Sequence, residues 1–488
     1  MDHHQPAADR LSVVGGGPAP VRSGSQLVQV ADLLRRNRDY RLLFASSVVS
    51  FLGDWFALVA VSGLVAELTG REGSTALVFA AEVLPIFVFS ALAGVLADRV
   101  DRKRLMIGSD LLRVLPALGL VAASVLGQAW LAYLCVILIS SLAAFFQPVV
   151  PAVVPNVVDS KDLSVAQAVL GSVWGSMLFI GAAVGGLAAV TLGRNVSFVL
   201  NAATFLVSAW LLWRVRAPFR RDSGHTTVRA GASVFADLAD VWRFVRPRKP
   251  VAALMVTKAG VGVGNGVVGL LPIYAVTVYG AGDAGIGVLL AARGLGALLG
   301  PFVGRRLAQD EGRRIVFWCG ASIVAYASVY TLLPSAGGLW VAALFVTLAH
   351  IGGGNQWVAS THGLQLATPD AFRGRVMSLD FGLATMAMGI SALVAGTVAE
   401  VAGLATATYA LALFSLVYGL SWLAWTRELW RRAPGPLIAD PLTAEPVASD
   451  PVTPDSDPVT PDSDPLTPDS DHLTRDPSAV DPHPRDDG

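Results

Sequence analysis

Residues 94–106 read GVLADRVDRKRLM. Six of the seven positions from Asp98 to Arg104 are charged, with Val100 the exception. On each side lie about twenty almost wholly apolar residues, the length an α-helix needs to cross the ~30 Å hydrocarbon layer of a bilayer. A dense charged turn between two such runs marks a membrane surface between two crossings. The composition agrees. The chain has 488 residues, 53% hydrophobic and 15% charged, with a mean hydropathy of +0.58, whereas a soluble domain carries about 25% charged residues.

Twelve runs of membrane-crossing length follow one another: 42–66, 74–97, 105–127, 129–154, 164–190, 195–213, 251–279, 284–304, 314–334, 337–366, 374–400 and 404–425. The expected fold is therefore an all-α membrane protein with twelve transmembrane helices in two six-helix halves. The 49 glycines fit lipid better than water. Glycine weakens a soluble helix, but in a membrane small residues let helix backbones approach closely. The segments GVGVGNGVVG (260–269) and GLGALLG (294–300) are the densest cases.

The sign of the loop charge gives the orientation, because short cytoplasmic loops carry an excess of Lys and Arg. Arg35, Arg36, Arg38 and Arg41 flank the first run, and Arg99, Arg102, Lys103 and Arg104 sit in the opening turn. The 214–249 connection holds Arg214, Arg216, Arg220, Arg221, Arg243, Arg246, Arg248 and Lys249. Arg305, Arg306, Arg313 and Arg314 continue the alternation, followed by Arg373 and Arg375, then Arg427, Arg431 and Arg432. The opposite loops hold only Arg71 and Arg194. Both termini are expected in the cytoplasm of a bacterial cell, with the chain crossing the inner membrane.

The implied organisation is a disordered cytoplasmic N-terminus (1–36), a first bundle (37–214), a basic cytoplasmic linker (215–250), a second bundle (251–428) and a disordered tail (429–488). Residues 1–30 hold no apolar run, so no cleavable leader is expected. The tail repeats DPVTPDS DPVTPDS DPLTPDS at 450–470, a Pro- and Asp-rich composition that cannot bury a core. Cys135 and Cys319 both fall inside apolar runs, and His3, His4, His472 and His483 are too sparse for ligation, so neither disulfide nor metal site is expected. No cofactor and no nucleic-acid partner is indicated. The phosphate-cradling G-x-x-x-x-G-K-[ST] pattern does not occur, which argues against ATP-driven chemistry by this chain alone.

The two halves echo each other weakly: ALAGVLADRVDRKRL ends the second run and ALLGPFVGRRLAQDEGRR ends the eighth. Repeated halves around a midplane site are the logic of secondary transporters. GVLADRVDRKRL resembles the loop signature of the major facilitator superfamily, roughly G-x-x-x-D-R-x-G-R-[KR]. Gly94, Asp98, Arg99, Arg102 and Lys103 match it, and Asp101 stands where the family has glycine. Aspartate tolerates a left-handed turn better than most residues, so the turn is expected to survive with some strain. NRDYRLLFASSVVSFLGDWF (37–56) and LQLATPDAFRGRVMSL (364–379) resemble the branch of enterobactin exporters and macrolide efflux permeases. The resemblance covers about residues 35–428. Two features of many proton-driven drug antiporters are missing: an arginine in the fourth helix, and the proline of a G-P-x-x-G-G stretch, here Gly181, Ala182, Ala183, Val184, Gly185 and Gly186.

The resemblance implies that Asp98 meets the start of the eleventh helix, near Arg373 and Arg375, when the cytoplasmic side closes. Arg99 and Arg102 would pair with acids across the halves. A purely topogenic charge cluster is the bland alternative.

Charges inside the helices are expensive and mark pathways by default. Asp54 lies about 18 Å into the first helix and Glu82 about 12 Å into the second. Arg293 is midway along the eighth, Lys258 about 10 Å into the seventh, and His350 deep in the tenth. Asp54, then Glu82, is the candidate proton carrier; the structural alternative pairs either one with Arg293 or Lys258. Asp110 and Arg113, one turn apart, suit a local pair, and Asp380, near the start of the eleventh helix, suits a helix-dipole role. The expected activity is proton-coupled export of a small amphipathic compound of antibiotic or siderophore type by a monomer. Uptake or facilitated diffusion of a polar metabolite, or lipid flipping, is the alternative; an enzyme or sensor fits worse.

Overall fold

The computed structural model describes residues 23–147, 149–219, 234–308 and 312–431. Among them the chain forms helices and no strand. In order these are α1 (Ser23–Arg36), α2 (Arg38–Thr69), α3 (Ser74–Arg99), α4 (Arg102–Leu126), α5 (Ala129–Phe146), α6 (Val149–Val157), α7 (Leu163–Thr191), α8 (Arg194–Arg214) and α9 (Val234–Val245). Then come α10 (Lys249–Gly264), α11 (Gly266–Ile273), α12 (Gly282–Ala308), α13 (Gly312–Tyr330), α14 (Leu339–Ala367), α15 (Asp370–Ala402), α16 (Leu404–Trp425) and α17 (Arg427–Arg431).

Ten helical segments among the described residues are long and apolar enough to cross a membrane. Of the twelve expected runs, two fall outside that set. The apolar part of α3 spans Ser74–Phe89, and α14 forms a 29-residue helix whose hydropathy is diluted by His350, Asn355 and Gln356. Such polar residues are characteristic of a helix that faces protein or a cavity rather than lipid.

Local chemistry sets the helix ends. Asn37 caps α2, its side-chain oxygen accepting from the Tyr40 amide at 2.9 Å, and Gly70 closes the helix in the left-handed region at φ 59°. The turn at 100–101 differs from expectation. Asp101 is not left-handed: it has φ −56° and ψ 118°, and its carboxylate accepts from the Arg104 amide at 2.8 Å. It is the N-cap of α4, a position where Asp is among the favoured residues. A capping carboxylate, not a glycine-like backbone, explains the departure from the family signature.

Residues 23–36, expected within an unstructured leader, form α1. Its Leu33 is buried against Tyr40 and Leu43, which makes the segment an amphipathic helix. Residues 1–22 and 432–488 lie outside the described residues, and the expectations for the leader and tail fall there. The linker carries α9, whose Val241, Phe244 and Val245 are buried against α10 and neighbouring helices. Phe244 stacks on Phe372 of α15 with ring centroids 4.6 Å apart.

The core runs through α2, α3, α7, α10–α16. α12 packs on α7 and α14, and α3 on α15. A very close backbone approach is that of Gly186 of α7 to Gly287 of α12, where a Cβ on either would lie 2.7 Å from the other's Cα. The apolar span Lys249–Val278 is interrupted at Asn265 between α10 and α11. Ser391 of α15 repairs the break: its hydroxyl accepts from the Gly266 amide at 3.0 Å and donates to the Val263 carbonyl. Non-helical backbone at membrane depth survives only with such partners.

Candidate functional site

Three groups of polar side chains lie inside the helical body. The first surrounds Asp54, at the middle of the 32-residue α2. Its partner is neither Arg293 nor Lys258 but Arg113 of α4. Arg113 donates from Nη2 to both Asp54 carboxylate oxygens, at 2.6 and 2.8 Å. From Nη1 it donates to Ser50 Oγ at 3.2 Å and, at 3.4 Å, to Asp110 Oδ1. The guanidinium also lies 4.0 Å above the Phe205 ring. Asp110 is fully buried and Arg113 2% exposed, while Asp54 retains 28% exposure. One arginine thus sits between two carboxylates, and the buried Asp110 Oδ2 makes no hydrogen bond among the described residues. The local Asp110–Arg113 pair expected from spacing is present; the pairing to Asp54, which links residues 59 apart, is the stronger one.

The second group holds Lys258 of α10, which forms an ion pair with Asp380 of α15. Lys258 also donates to Thr361 Oγ1 at 2.9 Å and lies 4.9 Å from the Trp357 ring centroid. Both ends of the pair are buried. Asp380 is therefore the counter-ion of a cation on another helix, not a dipole cap: it lies well inside α15, beyond the first-turn range of the dipole effect.

The third group is arranged differently. Glu82 of α3 and Arg293 of α12 lie within electrostatic reach of each other, yet no nitrogen–oxygen contact of 4.0 Å or less joins them. Among the described residues, Glu82 Oε2 and Arg293 Nε are both buried without a hydrogen-bond partner. Arg293 stands 5.7 Å from the Phe79 ring centroid. Behind it, His350 Nε2 and the Tyr330 hydroxyl are 2.9 Å apart, and Tyr326 packs edge-on against both rings. The Tyr326 hydroxyl is likewise buried and unpartnered among the described residues. Tyr326 and Tyr330 escape sequence reasoning, because an aromatic residue in an apolar run carries no charge signal.

The packing of Gly94 and the side chains of Asp98 and Arg99 fall outside what is described, so the expected meeting of Asp98 with α15 does too. Lys103 donates to the carbonyls of Trp213 and Val215 at 3.0 and 2.7 Å, closing the end of α8. Arg102 donates to the Ala152 carbonyl at 3.3 Å. Arg373 donates to the Thr368 carbonyl at 3.2 Å, and Arg375 lies 3.7 Å from Asp240 of α9.

The ends bearing Arg71 and Arg194 are tied across the molecule. Arg194 forks onto Asp283 of α12 at 2.8 and 3.0 Å, and reaches Glu67 at 2.5 Å. Arg71 and the Gly73 amide both hold Glu400 of α15, at 3.2 and 2.8 Å.

Comparison with known proteins identifies the family. The family model described as transmembrane secretion effector matches residues 33–459. The MFS-type transporter YfiS of Bacillus subtilis is 26% identical over 41% of this chain, which spans about half (49%) of that relative's length. The multidrug efflux pump Tap of Mycolicibacterium fortuitum is 25% identical, over 78% of this chain and 93% of Tap. The macrolide efflux protein A of Streptococcus pyogenes is 30% identical over 25% of this chain and 31% of its own. Among solved structures, an inward-facing bacterial homologue of the human lysosomal transporter Spinster superposes with a TM-score of 0.63 and 16% identity, covering 81% of this chain and 98% of that one.

Proposed function

Since the chain belongs to the transmembrane secretion effector family of the major facilitator superfamily, and so is a multi-pass membrane transporter, we propose that it exports small amphipathic compounds in exchange for protons. In this reading twelve helices form two six-helix halves, 37–214 and 251–428, in a bacterial inner membrane with both termini cytoplasmic. The protein works as a monomer by alternating access. Relatives described as efflux proteins support export. The loop asymmetry of Lys and Arg supports the orientation.

The observation that carries proton coupling is the buried Asp54–Arg113–Asp110 group. Two carboxylates share one arginine at mid-helix depth, and only Asp54 keeps partial exposure. A proton arriving on Asp54 neutralises the acid that holds Arg113 at 2.6 Å. Arg113 then has Asp110, one turn away and with Oδ2 unpartnered among the described residues, as its remaining anionic acceptor. Protonation thereby removes the charged tie from the guanidinium to α2, leaving there the neutral bond to Ser50, and shifts its ionic partnership to Asp110 of α4. Such a two-position element is what alternating access needs.

The ties Arg194–Asp283 and Arg71–Glu400 lie at the end read as periplasmic, which supports assigning the arrangement to an inward-open state. The experiment is a panel of antibiotics and fluorescent amphiphiles in an efflux-deficient host, repeated in inverted vesicles with the proton gradient intact or collapsed. Gradient-dependent accumulation in inverted vesicles is the expected result. Accumulation in right-side-out vesicles instead, or indifference to the gradient, rejects proton-driven export.

A further inference from the structure

Two of the three buried charge groups are closed: Arg113 lies 2.6 Å from Asp54, and Lys258 pairs with Asp380. Glu82 and Arg293 are opposite charges in the same body, and they are not closed. Direct contact between opposite charges offsets their desolvation when the geometry is good and the remaining donors and acceptors are satisfied; here Arg293 is buried and Glu82 half-buried. Each of these two instead keeps a buried polar atom without a partner among the described residues. Arg293 is 7% exposed, and its guanidinium carbon stands 5.7 Å from the ring centroid of Phe79, three residues before Glu82 on α3. Two opposite charges within electrostatic reach are thus left without a direct ion pair. The surroundings are apolar and aromatic: Phe79, Tyr326 and Tyr330 belong to the same buried cluster, and the Tyr326 hydroxyl is also unpartnered among the described residues.

We propose that Glu82 and Arg293 are the two poles of a binding site for a zwitterionic amphiphile. Glu82 receives its amine, Arg293 receives its carboxylate, and the Phe79–Tyr326 wall receives its apolar body. A guanidinium matches a carboxylate through two parallel N–H donors. The few polar groups of a mostly apolar pocket fix a ligand's orientation in this way. A ligand with both charges completes both half-empty shells at once, whereas one with a single charge leaves the other pole desolvated and unpaired. The assignment rests on the reading of the chain as an exporter of small amphipathic compounds and narrows its substrate class.

The test uses the purified full chain in lipid nanodiscs and three matched probes: phenylalanyl-alanine, its N-acetyl derivative and its C-terminal amide. The free dipeptide should bind at least about tenfold more tightly than either blocked form, which corresponds to ~1.4 kcal/mol. Glu82→Gln should erase the preference over the N-acetyl form while keeping that over the amide, and Arg293→Gln should do the reverse. Glu82→Asp and Arg293→Lys keep the charges and should keep the order, which guards against a neutral variant that misfolds. Equal binding of the three probes by the parent protein overturns the proposal. So does failure of the free dipeptide to bind at millimolar concentration, or an equal loss of all three in both neutral variants. Proton-driven accumulation of other amphiphiles in inverted vesicles is measured separately. Its survival alongside equal probe binding sinks the zwitterion site and leaves the export reading standing; its absence alongside graded binding does the opposite.

Discussion

Replacing Asp54 with asparagine removes one negative charge from a group that holds two carboxylates and one guanidinium. A lone buried ion pair loses about 3–5 kcal/mol when one partner is deleted, because the other charge is left uncompensated. Here Arg113 keeps Asp110, and the introduced amide would keep one acceptor oxygen toward Nη2. The loss reduces to roughly one charge-assisted hydrogen bond, about 1.5–3 kcal/mol at most, offset by relief of the second acid. Arg113→Leu is the opposite case. It leaves Asp110, fully buried, with no cation in its group, at about 3–5 kcal/mol. It also removes the guanidinium stacked 4.0 Å over Phe205, worth about 1–2 kcal/mol when desolvated. Arg113→Leu should therefore destabilise at least about twice as much as Asp54→Asn. The double variant should recover part of the loss, since only one buried acid then remains. Thermal unfolding in detergent, followed by fluorescence-detected size exclusion, measures the order. In transport, Asp54→Asn should abolish gradient-driven accumulation and retain substrate exchange. Equal or greater destabilisation by Asp54→Asn than by Arg113→Leu would refute the shared-arginine account, and full uphill transport by Asp54→Asn would remove Asp54 from coupling.

The remaining outcomes follow from single contacts. Arg194→Ala breaks three hydrogen bonds to Asp283 and Glu67 and should raise cysteine-reagent labelling of a Ser197→Cys reporter on the periplasmic side; unchanged labelling would remove Arg194 from the closure. Asp101→Ala deletes the cap of α4 and should cost ~0.5–2 kcal/mol, whereas Asp101→Asn should be nearly silent in the same melting assay; a large loss for the asparagine variant would mean that the charge, not the cap, matters. Lys258→Met should lower folded yield by leaving Asp380 buried and unpaired, and Lys258→Met with Asp380→Leu should restore it; no rescue would contradict an isolated pair. A fluorescent reporter fused after Arg432 should report cytoplasm, and a periplasmic signal would reject the twelve-helix count.

The helical body was legible because membrane crossing imposes length and composition directly on the sequence. The 94–106 turn, the glycine-rich segments and the alternating basic loops each encode one physical constraint. Candidate charges were legible for the same reason: a charge in an apolar run is conspicuous wherever it packs. Their pairings were not. Asp54 could be placed at mid-helix by counting, but its partner Arg113 lies 59 residues away, and Lys258 finds Asp380 across 122 residues. Only the Asp110–Arg113 contact, set by helical spacing within α4, was readable. Asp101 shows the limit of a family signature. A short acid at a turn suits either a left-handed residue or an N-cap, and only the amide of Arg104 distinguishes them. α14 shows the limit of hydropathy: polar residues that serve the interior make a helix read as less membrane-like.

The basic end of the molecule adds a step that the loop signature alone does not give. Lys103 is tied to the end of α8, and Arg102 reaches α6. Arg375 pairs with Asp240 of α9 and stacks 5.0 Å from Phe372, which in turn stacks on Phe244. Arg248 also stacks on Phe244, at 4.2 Å from its ring centroid. These contacts tie the linker helix α9 to the start of α15 and the start of α4 to α6 and α8. The ties across the halves, Arg194–Asp283 and Arg71–Glu400, join α8 to α12 and the α2–α3 turn to α15, and α7 meets α12 at the Gly186–Gly287 contact. In the proposed two-half architecture, a rocking motion about that glycine contact would break the hydrogen bonds that Asp283 and Glu400 accept from the other half. The energy to break those bonds has to come from a change deeper in the body. In the proposed mechanism the Arg113 group, where a proton on Asp54 would shift the ionic partner of the guanidinium from α2 to α4, is placed to supply it.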